Sequence, residues 1–508
     1  MTDMTLGELL TGLVDDAQLE EFASLKVRSI SQDNRKVLDG SLFIAAQGFN
    51  THGLVYAESA VARGAVAVIW DGECDGSQSI LDQVSNKVAC MHCDDLREKL
   101  GEIAARFYGD PTTDLNVIGI TGTDGKTSIA HFLAQAFDDH DVHCGIMGTL
   151  GNGFINDLHP TGLTTVDALQ VQSTLAQIRN EGAHHAVMEV SSHGLDQGRV
   201  NAVRFNTAVF SNLAQDHLDY HGNLDAYADA KRKLFFMPGL QAAVLNLDDK
   251  FGRELAKQCA SRIGVWGYSC EPDISGLLEY TPLIVHPRKV NCDSNGLHIE
   301  METPKGRAMI DVPLLGRFNI SNMLAVMSAL LVSGVDFEDA CKRIQGIRPV
   351  SGRMQIVDDA GEDQPSIIID YAHTPQALEA ACSSVRMHFK SKLWCVFGCG
   401  GDRDTGKRPL MAKAAEQYAD RLIVTSDNPR HEDPAKIIEQ VVSGFSEPDR
   451  YMVEPDRRLA IRHAISMAAP EDVVLIAGKG HESSQIIGDV HIAFNDYRVA
   501  LEVMEADT

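Results

Sequence analysis

The sequence predicts an α/β protein of three domains in which parallel sheets carry the functional residues. Its 508 residues exceed the size that one hydrophobic core usually supports, so several domains are expected. Short apolar runs recur along the chain, and each is followed by a polar or glycine-rich segment and then by helical periodicity. The runs are continuous rather than alternating, which is typical of strands that are buried on both faces of a parallel sheet.

Two breaks in this pattern indicate the domain boundaries. The segments Gly109-Asp-Pro-Thr112 and Gly346-Ile-Arg-Pro349 combine glycine and proline just before a new series of strands. They predict a small amino-terminal domain over 1–110, a central domain over 111–347 and a carboxyl-terminal domain over 348–508.

Polar motifs stand at the ends of eight predicted strands. The strands cover residues 116–120, 186–190, 207–213, 242–247, 367–369, 393–397, 421–425 and 472–477. Ligands of open parallel sheets bind beyond the carboxyl ends of the strands. One such motif is explained well enough as a polar turn, but a run of them on consecutive strands predicts binding sites.

The charge of the chain limits the class of partner. Hydrophobic residues make up 44% and charged residues 23%, which is typical of a globular protein, and the formal net charge is −26. Nonspecific nucleic-acid binding needs a basic surface, so we expect no nucleic-acid partner. Any anionic substrate must be held by local cations that oppose the overall field.

The sequence also indicates the compartment. No apolar run approaches the roughly 18 residues that span a bilayer, and Met1 to Gly12 does not have the pattern of a signal peptide. Eleven cysteines are scattered without a secretory signal, and Cys90 and Cys93 have no second pair at zinc-site spacing. We interpret these two as ordinary thiols and expect a cytoplasmic protein.

The segment from Gly119 to Thr127 has the pattern of a phosphate loop. It follows a predicted strand and precedes a helical pattern, so backbone N–H groups and a helix amino terminus would surround phosphate oxygens. It departs from the common form at Ile120, and a glycine-rich turn without a ligand is the alternative. The residues expected to contact the nucleotide are Gly122, Thr123, Asp124, Gly125, Lys126, Thr127 and Ser128.

Glu189, His217 and Lys231 are further candidate residues for a site that includes this loop. A carboxylate at the end of an apolar strand is costly to bury unpaired, and Mg²⁺ prefers oxygen ligands, so Glu189 and Thr127 suit one ion. Histidine is a less usual magnesium ligand, and a hydrogen-bonded structural role is the alternative for His217. Lys231 lies in a charged helical pattern and, taken alone, reads as a solvated residue.

Two charge-dense clusters lie at strand ends in the carboxyl-terminal domain. Arginine forks bind carboxylates in bidentate fashion, so paired acids and bases there suit a zwitterion such as an amino acid. A surface ion-pair network is the alternative. The clusters contain Asp402, Arg403, Asp404, Lys407, Arg408 and Arg430.

Together these motifs resemble the Mur ligase family of cell-wall synthesis enzymes over essentially the whole chain. Within that family the chain is most similar to the members that add meso-diaminopimelate, because it carries Asp427-Asn-Pro-Arg430, a tetrapeptide that usually differs in lysine-adding members. The matching segments are 121–127, 188–195, 216–221, 316–322, 352–354 and 370–375.

The resemblance implies a central P-loop ATPase domain, a Rossmann-like α/β carboxyl-terminal domain and a small amino-terminal α/β domain. It implies an ATP-dependent ligase that joins meso-diaminopimelate to the D-glutamate carboxylate of UDP-N-acetylmuramoyl-L-alanyl-D-glutamate through an acyl phosphate. Mg²⁺ is the implied metal, and Lys231 matches a lysine that CO₂ carbamylates. The implied catalytic residues are Lys126, Lys231, His217 and Glu189, and the implied metal ligands are Thr127, Glu189, His217 and carbamylated Lys231.

The substrate residues follow from the same resemblance. Beyond the phosphate loop, ATP is implied to contact Asn319, Arg353 and Asp370. The UDP-muramoyl dipeptide is implied to contact Asn34, Phe49, Asn50, Thr51, Leu163, Thr164, Thr165, Ser191, Gln197 and Arg199. Diaminopimelate is implied to contact Arg403, Asp427, Asn428, Pro429, Arg430, Gly478 and Glu482.

The chain departs from the family pattern at Asn34, His52 and Asp124, where serine, aspartate and asparagine are common. An acidic side chain at 124 is expected to weaken ATP binding unless it faces away from the phosphates. The alternatives are a lysine-adding Mur ligase, a folylpolyglutamate synthase and a P-loop nucleotide-binding protein without ligase chemistry. We expect a monomer that acts on small molecules and has no transmembrane segment.

Overall fold

The computed structural model describes residues 4–48, 51–72, 76–138, 143–357 and 364–506. The chain divides into two compact units, Met1–Trp266 and Gly267–Thr508. Among the described residues, no helix combines the length and the apolar character that a membrane crossing requires.

The amino-terminal part of the first unit is built on a parallel sheet in the order β3-β4-β5-β6. Apolar side chains are buried on both of its faces, which explains why the strands read as continuous apolar runs. Its elements are β1 (Met4–Thr5), α1 (Leu6–Leu10), α2 (Asp16–Glu20), β2 (Lys26–Val27), β3 (Ser29–Ser31), β4 (Ser41–Ala45), α3 (Ala57–Ala62), β5 (Ala65–Trp70), α4 (Ser77–Val84), β6 (Ala89–His92) and α5 (Leu96–Phe107).

The rest of the first unit carries a sheet in the order β10-β9-β8-β11-β7-β12-β13-β14. Strands β8, β11, β7, β12 and β13 are parallel, whereas β9 and β10 add an antiparallel edge. The elements are β7 (Asn116–Thr121), α6 (Lys126–Phe137), β8 (His143–Gly148), β9 (Gly151–Phe154), β10 (Asp157–His159), α7 (Ala168–Asn180), β11 (Ala183–Glu189), α8 (Ser192–Asp196), β12 (Thr207–Phe210), α9 (Leu218–His221), α10 (Leu224–Arg232), β13 (Ala242–Asn246), α11 (Lys250–Cys259) and β14 (Gly264–Tyr268).

The second unit begins with an antiparallel meander and two helices. The meander pairs β15 with β16 and β16 with β17. These elements are β15 (Ile284–Asp293), β16 (Gly296–Thr303), β17 (Gly306–Val312), α12 (Arg317–Val332) and α13 (Phe337–Gln345).

The second unit continues with a six-stranded sheet in the order β18-β19-β23-β20-β21-β22, in which only the short edge strand β18 is antiparallel. Its elements and the β24–β25 hairpin are β18 (Gln355–Ile356), β19 (Ser366–Asp370), α14 (Pro375–His388), β20 (Leu393–Phe397), α15 (Lys407–Tyr418), β21 (Arg421–Val424), α16 (Pro434–Val442), β22 (Tyr451–Val453), α17 (Arg457–Met467), β23 (Val473–Ala477), β24 (Ser484–Ile487), β25 (Val490–Ala493) and α18 (Asp496–Ala506). Short 3₁₀ helices cover Asn34–Lys36, Gly53–Tyr56, Pro111–Thr113, Lys233–Phe236, Ser275–Leu277 and Pro448–Arg450.

The predicted fold class is confirmed, and all eight predicted strands are present with small shifts at their ends. The largest shift is in the strand predicted over 207–213, which ends at Phe210. The chain leaves the sheet there because Ser211 Oγ donates to the carbonyl of Asp124 at 2.5 Å, and Leu213 N donates to Asp249 Oδ2 at 2.7 Å. The Ser211 side chain thus holds the phosphate loop, while Ser211 N still donates to the carbonyl of Thr121 and Leu213 is bonded to the residue before α11.

A fully buried ion pair joins α17 to α18. Nε and Nη2 of Arg457 donate to the two carboxylate oxygens of Asp496 at 2.8 and 2.7 Å, and both side chains are 0% exposed. Nη2 also donates to the carbonyl of Ala477 at the end of β23. Either charge left alone would be buried without compensation, so the pair is a point of vulnerability in the second unit.

We predict that Asp496→Ala lowers the free energy of unfolding of the second unit by about 3–5 kcal/mol, because it leaves the Arg457 guanidinium buried and unpaired. Urea titration measures the change. Arg458→Ala is the matched control, since Arg458 pairs with Glu502 between the same helices at the surface and should contribute about 1 kcal/mol or less. Equal losses for the two variants would contradict the prediction.

Candidate active site

The phosphate loop joins β7 to α6 and depends on glycine geometry. Gly122 has φ +151°, and a Cβ there would lie 1.9 Å from Ser211 Oγ. Gly125 precedes α6 with φ +82°. Lys126 folds back so that Nζ donates to the carbonyls of Gly122 and Thr123, both at 2.8 Å. The loop thus holds its lysine over the backbone that would surround phosphate oxygens.

Asp124 is attached to the next strand end by its backbone. Its N–H donates to Asn212 Oδ1 at 2.9 Å, and its carbonyl accepts from Ser211 Oγ and from Asn212 Nδ2. The carboxylate itself is exposed to solvent. Water screens an exposed charge, so this acidic residue can contribute its backbone to the loop with a reduced electrostatic cost.

Glu189 is a buried carboxylate at the end of β11, with 1% exposure. It accepts hydrogen bonds from Thr127 Oγ1 at 2.9 Å, from Thr149 N at 2.8 Å and from Thr149 Oγ1 at 3.1 Å. These donors offset the cost of burying the charge. The predicted pair of Thr127 and Glu189 is therefore in direct contact, and the two oxygens match what Mg²⁺ prefers.

Lys231 lies on α10 and is 1% exposed, so the interpretation of a solvated residue is wrong. Its Nζ donates to the carbonyl of Gly122 at 2.8 Å and lies 4.2 Å from the centre of the Tyr227 ring. Burial, reinforced by the charge of Lys126, lowers the pKa of Lys231 well below its usual value. Among the described residues, this ammonium has a single hydrogen-bond acceptor.

His217 stands just before α9 in a left-handed conformation with φ +52°. Its side chain is 47% exposed, and Nε2 lies 3.4 Å from Asp216 Oδ2. In the described part of the chain, no three histidine, cysteine, aspartate or glutamate side chains form a metal site by themselves. Metal binding here therefore requires other oxygens, such as the Thr127 hydroxyl, phosphate oxygens or a carbamate.

The Glu189 cluster continues into residues predicted to hold the muramoyl substrate. Thr164 Oγ1 lies 3.0 Å from Thr149 Oγ1. Thr165 Oγ1 donates to the carbonyl of Glu189 at 2.9 Å and accepts from Ser191 N at 3.0 Å. The structure thus connects three predicted substrate residues to Glu189, Thr164 through Thr149 and Thr165 and Ser191 through the main-chain carbonyl.

Arg199 and Gln197 extend the same cluster. Nη1 of Arg199 donates to the carbonyl of Thr165 at 2.6 Å, and Nε and Nη2 donate to Gln197 Oε1 at 3.0 and 2.6 Å. Leu163, which precedes Thr164 in sequence, is about half exposed. The guanidinium is therefore fixed in orientation before any ligand arrives.

The amino-terminal residues implied to contact the UDP-muramoyl dipeptide are only partly described, since Phe49 and Asn50 lie outside the described residues. Asn34 Nδ2 donates to Ser59 Oγ at 3.1 Å, and the carbonyl of Thr51 accepts from Gly48 N. His52 is buried, and its Nδ1 accepts from Leu54 N at 3.0 Å. A ring nitrogen therefore caps the following 3₁₀ helix, where an aspartate oxygen would serve equally well.

In the second unit, Asp370 ends β19 and is buried. Its oxygens accept from Met354 N and Ala372 N, both at 2.8 Å, and burial raises its pKa despite the charge of Arg353. The Arg353 guanidinium lies 4.5 Å from the Tyr371 ring centre. The structure thus groups two of the predicted nucleotide residues, Arg353 and Asp370, around one turn.

Asn319, the third of these residues, is buried near the start of α12. Its Nδ2 donates to the carbonyl of Leu315 at 2.8 Å, and its Oδ1 accepts from Asn322 Nδ2 at 2.9 Å.

The predicted amino-acid pocket assembles from three strand ends. Asn428 Nδ2 donates to Glu482 Oε2 at 2.8 Å. Gly478 has φ +118°, and a Cβ there would lie 2.7 Å from Asp427 Oδ2. Nη1 of Arg430 donates to the carbonyl of Gly401 at 2.8 Å. These residues therefore converge on one region, and Pro429, which lies between Asn428 and Arg430 in sequence, is buried.

Arg403 and Arg408, the other two arginines of the charge-dense clusters, differ in their surroundings. Arg403 is exposed, and no described residue accepts a hydrogen bond from its guanidinium. Arg408 is 0% exposed and donates to Glu432, Gln440 and the carbonyl of Gly400. A substrate-binding interpretation of Arg408 is therefore wrong, because its donors maintain the fold.

Sequence reasoning missed two residues of these clusters. Thr149 follows β8 and supplies two of the three donors to Glu189. Lys479 is 0% exposed, and its Nζ donates to Asn428 Oδ1 at 2.9 Å and to Glu482 Oε2 at 2.8 Å. Thr149 lies directly after β8 and Lys479 lies two residues beyond β23, and a position at a strand end is the signal that identified their neighbours.

Comparison with known proteins agrees with this arrangement. Mur ligase domains match the chain in three stretches: the family catalytic domain over 26–108, the middle domain over 120–330 and the glutamate ligase domain over 352–480. A Coxiella burnetii protein named UDP-N-acetylmuramoyl-L-alanyl-D-glutamate–2,6-diaminopimelate ligase is 43% identical, covering 98% of this chain and 100% of its own.

An Alkalilimnicola ehrlichii protein of the same name is 46% identical, covering 94% of this chain and 95% of its own. A solved structure described by that name is 35% identical with a TM-score of 0.73, covering 100% of this chain and 99% of that one.

We predict that Gly122→Ala weakens ATP binding by about tenfold or more, because the added methyl meets Ser211 Oγ and strains the loop backbone. Titration with a fluorescent ATP analogue measures the dissociation constant. Gly264→Ala is the control, since its Cβ would meet nothing closer than 3.6 Å. An unchanged dissociation constant for Gly122→Ala would refute this view of the loop.

Proposed function

The chain belongs to the Mur ligase family of ATP-dependent amide-bond-forming enzymes, and we propose that it joins meso-diaminopimelate to the D-glutamate carboxylate of UDP-N-acetylmuramoyl-L-alanyl-D-glutamate in peptidoglycan synthesis. Relatives named for this reaction match nearly the full length of the chain. The observation that carries the proposal is the hydrogen-bonded chain that links Thr127 through Glu189 to Thr164 and Thr165. It supports a shared site for a nucleotide phosphate and a second, carboxylate-bearing substrate.

The first chemical step must bring two anions together. The substrate carboxylate attacks the γ-phosphorus of ATP, the bond to the bridging oxygen breaks, and ADP leaves with that electron pair. At about 4 Å, two unit charges repel by roughly 4 kcal/mol at an effective dielectric constant of 20. Lys126 opposes this repulsion because its ammonium lies on the loop that would hold the phosphates.

We assign the Mg²⁺ site to Thr127, Glu189, His217 and carbamylated Lys231. The hydroxyl and carboxylate oxygens of Thr127 and Glu189 are 2.9 Å apart and buried, and this donor set fits the ion. When bound, Mg²⁺ would neutralise charge on the transferring phosphoryl group. Thr127 and Glu189 would each contribute one oxygen ligand to the ion.

The carbamate proposal rests on the surroundings of Lys231. A buried ammonium with one carbonyl acceptor, close enough to Lys126 for their charges to interact, is unfavourable in this place. Loss of one proton would give the neutral amine, and addition of CO₂ to that amine with loss of a second proton would replace the cation by an anion. The anion would attract Lys126 and supply oxygen ligands for a metal.

The second step forms the amide. The diaminopimelate amine attacks the acyl phosphate carbon, phosphate leaves with its electron pair, and the nitrogen loses a proton. We assign Arg403 and Arg430 to the carboxylates of the amino acid and Glu482 to an ammonium group. Arginine forks and a carboxylate suit the two ends of a zwitterion.

We also propose that the reaction takes place in the cytoplasm and that the enzyme acts as a monomer. The ten cysteines of the described residues are free thiols, which suits a reducing compartment.

Phosphate release with the UDP-muramoyl dipeptide, ATP, Mg²⁺ and a panel of amino acids tests the function. Release that depends on meso-diaminopimelate, with the tripeptide product identified by mass spectrometry, is expected. Turnover with L-lysine instead would support the lysine-adding alternative. A nucleotide-binding protein without ligase chemistry would give no amide product at all.

We predict that Lys231→Ala reduces turnover by at least about a thousandfold without unfolding the protein, because the proposed carbamate is lost. Turnover at saturating ATP and circular dichroism measure the two effects. Lys250→Ala is the control, since that lysine is 87% exposed and its one ion pair with a described residue is to Glu254 on its own helix. Near-normal turnover of Lys231→Ala would rule out an essential carbamate.

We predict that Arg430→Ala and Arg403→Ala raise the KM for diaminopimelate by about tenfold or more, with little change in the KM for ATP. Steady-state kinetics with each substrate varied in turn measures both constants. Arg462→Ala, which removes an exposed arginine of α17, is the charge-matched control. Equal increases in both KM values would reject the assignment to the amino-acid carboxylates.

A further inference from the structure

Lys479 is a completely buried cation among the residues of the predicted amino-acid pocket. It lies two residues beyond the end of β23 and is 0% exposed. Its Nζ donates to Asn428 Oδ1 at 2.9 Å and to Glu482 Oε2 at 2.8 Å. A lysine is rarely buried unless its charge is paired and hydrogen-bonded, and here the partners are two pocket residues.

The amide of Asn428 is nearly saturated by protein groups. Its Oδ1 accepts from Lys479 Nζ and also from Ile486 N at 3.0 Å, where the β24–β25 hairpin passes. Its Nδ2 donates to Glu482 Oε2 at 2.8 Å. Both acceptor positions of the oxygen are therefore used, and the orientation of the amide is fixed.

Glu482 is held by one of its two oxygens. Oε2 accepts from both Lys479 Nζ and Asn428 Nδ2, whereas no described residue donates to Oε1. The side chain remains 30% exposed, in contrast to the lysine beneath it. Oε2 is thus held by two protein donors, and Oε1 remains available to a ligand.

We propose that Lys479 is a positioning residue that fixes the Glu482 carboxylate so that its second oxygen receives an ammonium group of the amino-acid substrate. The proposal rests on the proposed function. Lys479 does not touch the substrate in this account, and it acts through Glu482, whose Oε2 it holds together with Asn428. A buried cation also ensures that Glu482 has a charge partner before the substrate arrives, so little rearrangement accompanies binding.

Lys479→Met tests the proposal, because methionine keeps much of the length and removes the charge. The KM for diaminopimelate is expected to rise by about ten- to a hundredfold, while the KM for ATP changes by less than about twofold. Lys436→Met, on the exposed face of α16, is the control for losing one positive charge in this acidic chain. Parallel increases in both KM values would indicate a general structural role and overturn the proposal.

A double-mutant cycle with Glu482→Gln decides whether Lys479 acts through Glu482. If it does, the double variant should have nearly the same KM for diaminopimelate as Glu482→Gln alone. Multiplicative effects of the two substitutions would overturn the proposal. Should Lys479→Met melt below the assay temperature, Lys479→Gln takes its place in the cycle, since its amide can still donate a hydrogen bond in the network.

The wild-type enzyme separates this proposal from the function on which it rests. If wild type makes no product with diaminopimelate, the proposed function fails. If wild type is active and Lys479→Met has a normal KM for diaminopimelate, only the positioning role fails.

Discussion

The site around the phosphate loop depends on the buried carboxylate of Glu189, which must be compensated by hydrogen-bond donors. A charge at the end of a fully buried strand is tolerable only with donors around it, and Thr127 and Thr149 provide them. The same residue accepts from Thr165 through its main-chain carbonyl. The phosphate loop, the end of β8 and the predicted dipeptide residues are therefore fixed by one residue, and a shift of β11 would disturb all three.

Much of the fold could be predicted because parallel strands have a distinctive sequence pattern. β20 and β23 are apolar at every position, so their limits were visible without a structure. The antiparallel meander was missed. β16 alternates between buried and partly exposed side chains. Because polar residues interrupt its apolar ones, it has no continuous apolar run that would identify it as a strand. The β24–β25 hairpin is largely exposed and gave no apolar signal either.

Functional residues could be predicted where they stand at or near the end of a strand. They could not be predicted where tertiary contacts bury a charged residue that looks solvent-exposed in the sequence. Glu189 ends β11, and Thr127 lies in the first turn of the helix that follows the neighbouring parallel strand β7, so their proximity followed from topology. Lys231 lies in a helix of polar sequence. Its burial and its contact with the carbonyl of Gly122 are visible only in the structure. Arg408 and Lys479 are likewise charged side chains whose burial is visible only in the structure. Whether a charged side chain binds a ligand or supports the fold depends on partners that are distant in sequence.

The most direct test of the central claim is the affinity of Mn²⁺, used as a paramagnetic substitute for Mg²⁺, in wild type and in Glu189→Gln. The measurement uses electron paramagnetic resonance with a non-hydrolysable ATP analogue present. The account predicts that the neutral amide weakens nucleotide-dependent Mn²⁺ binding by about tenfold or more, because an anionic oxygen ligand is lost. An unchanged affinity and an unchanged spectrum in a folded variant would contradict the account.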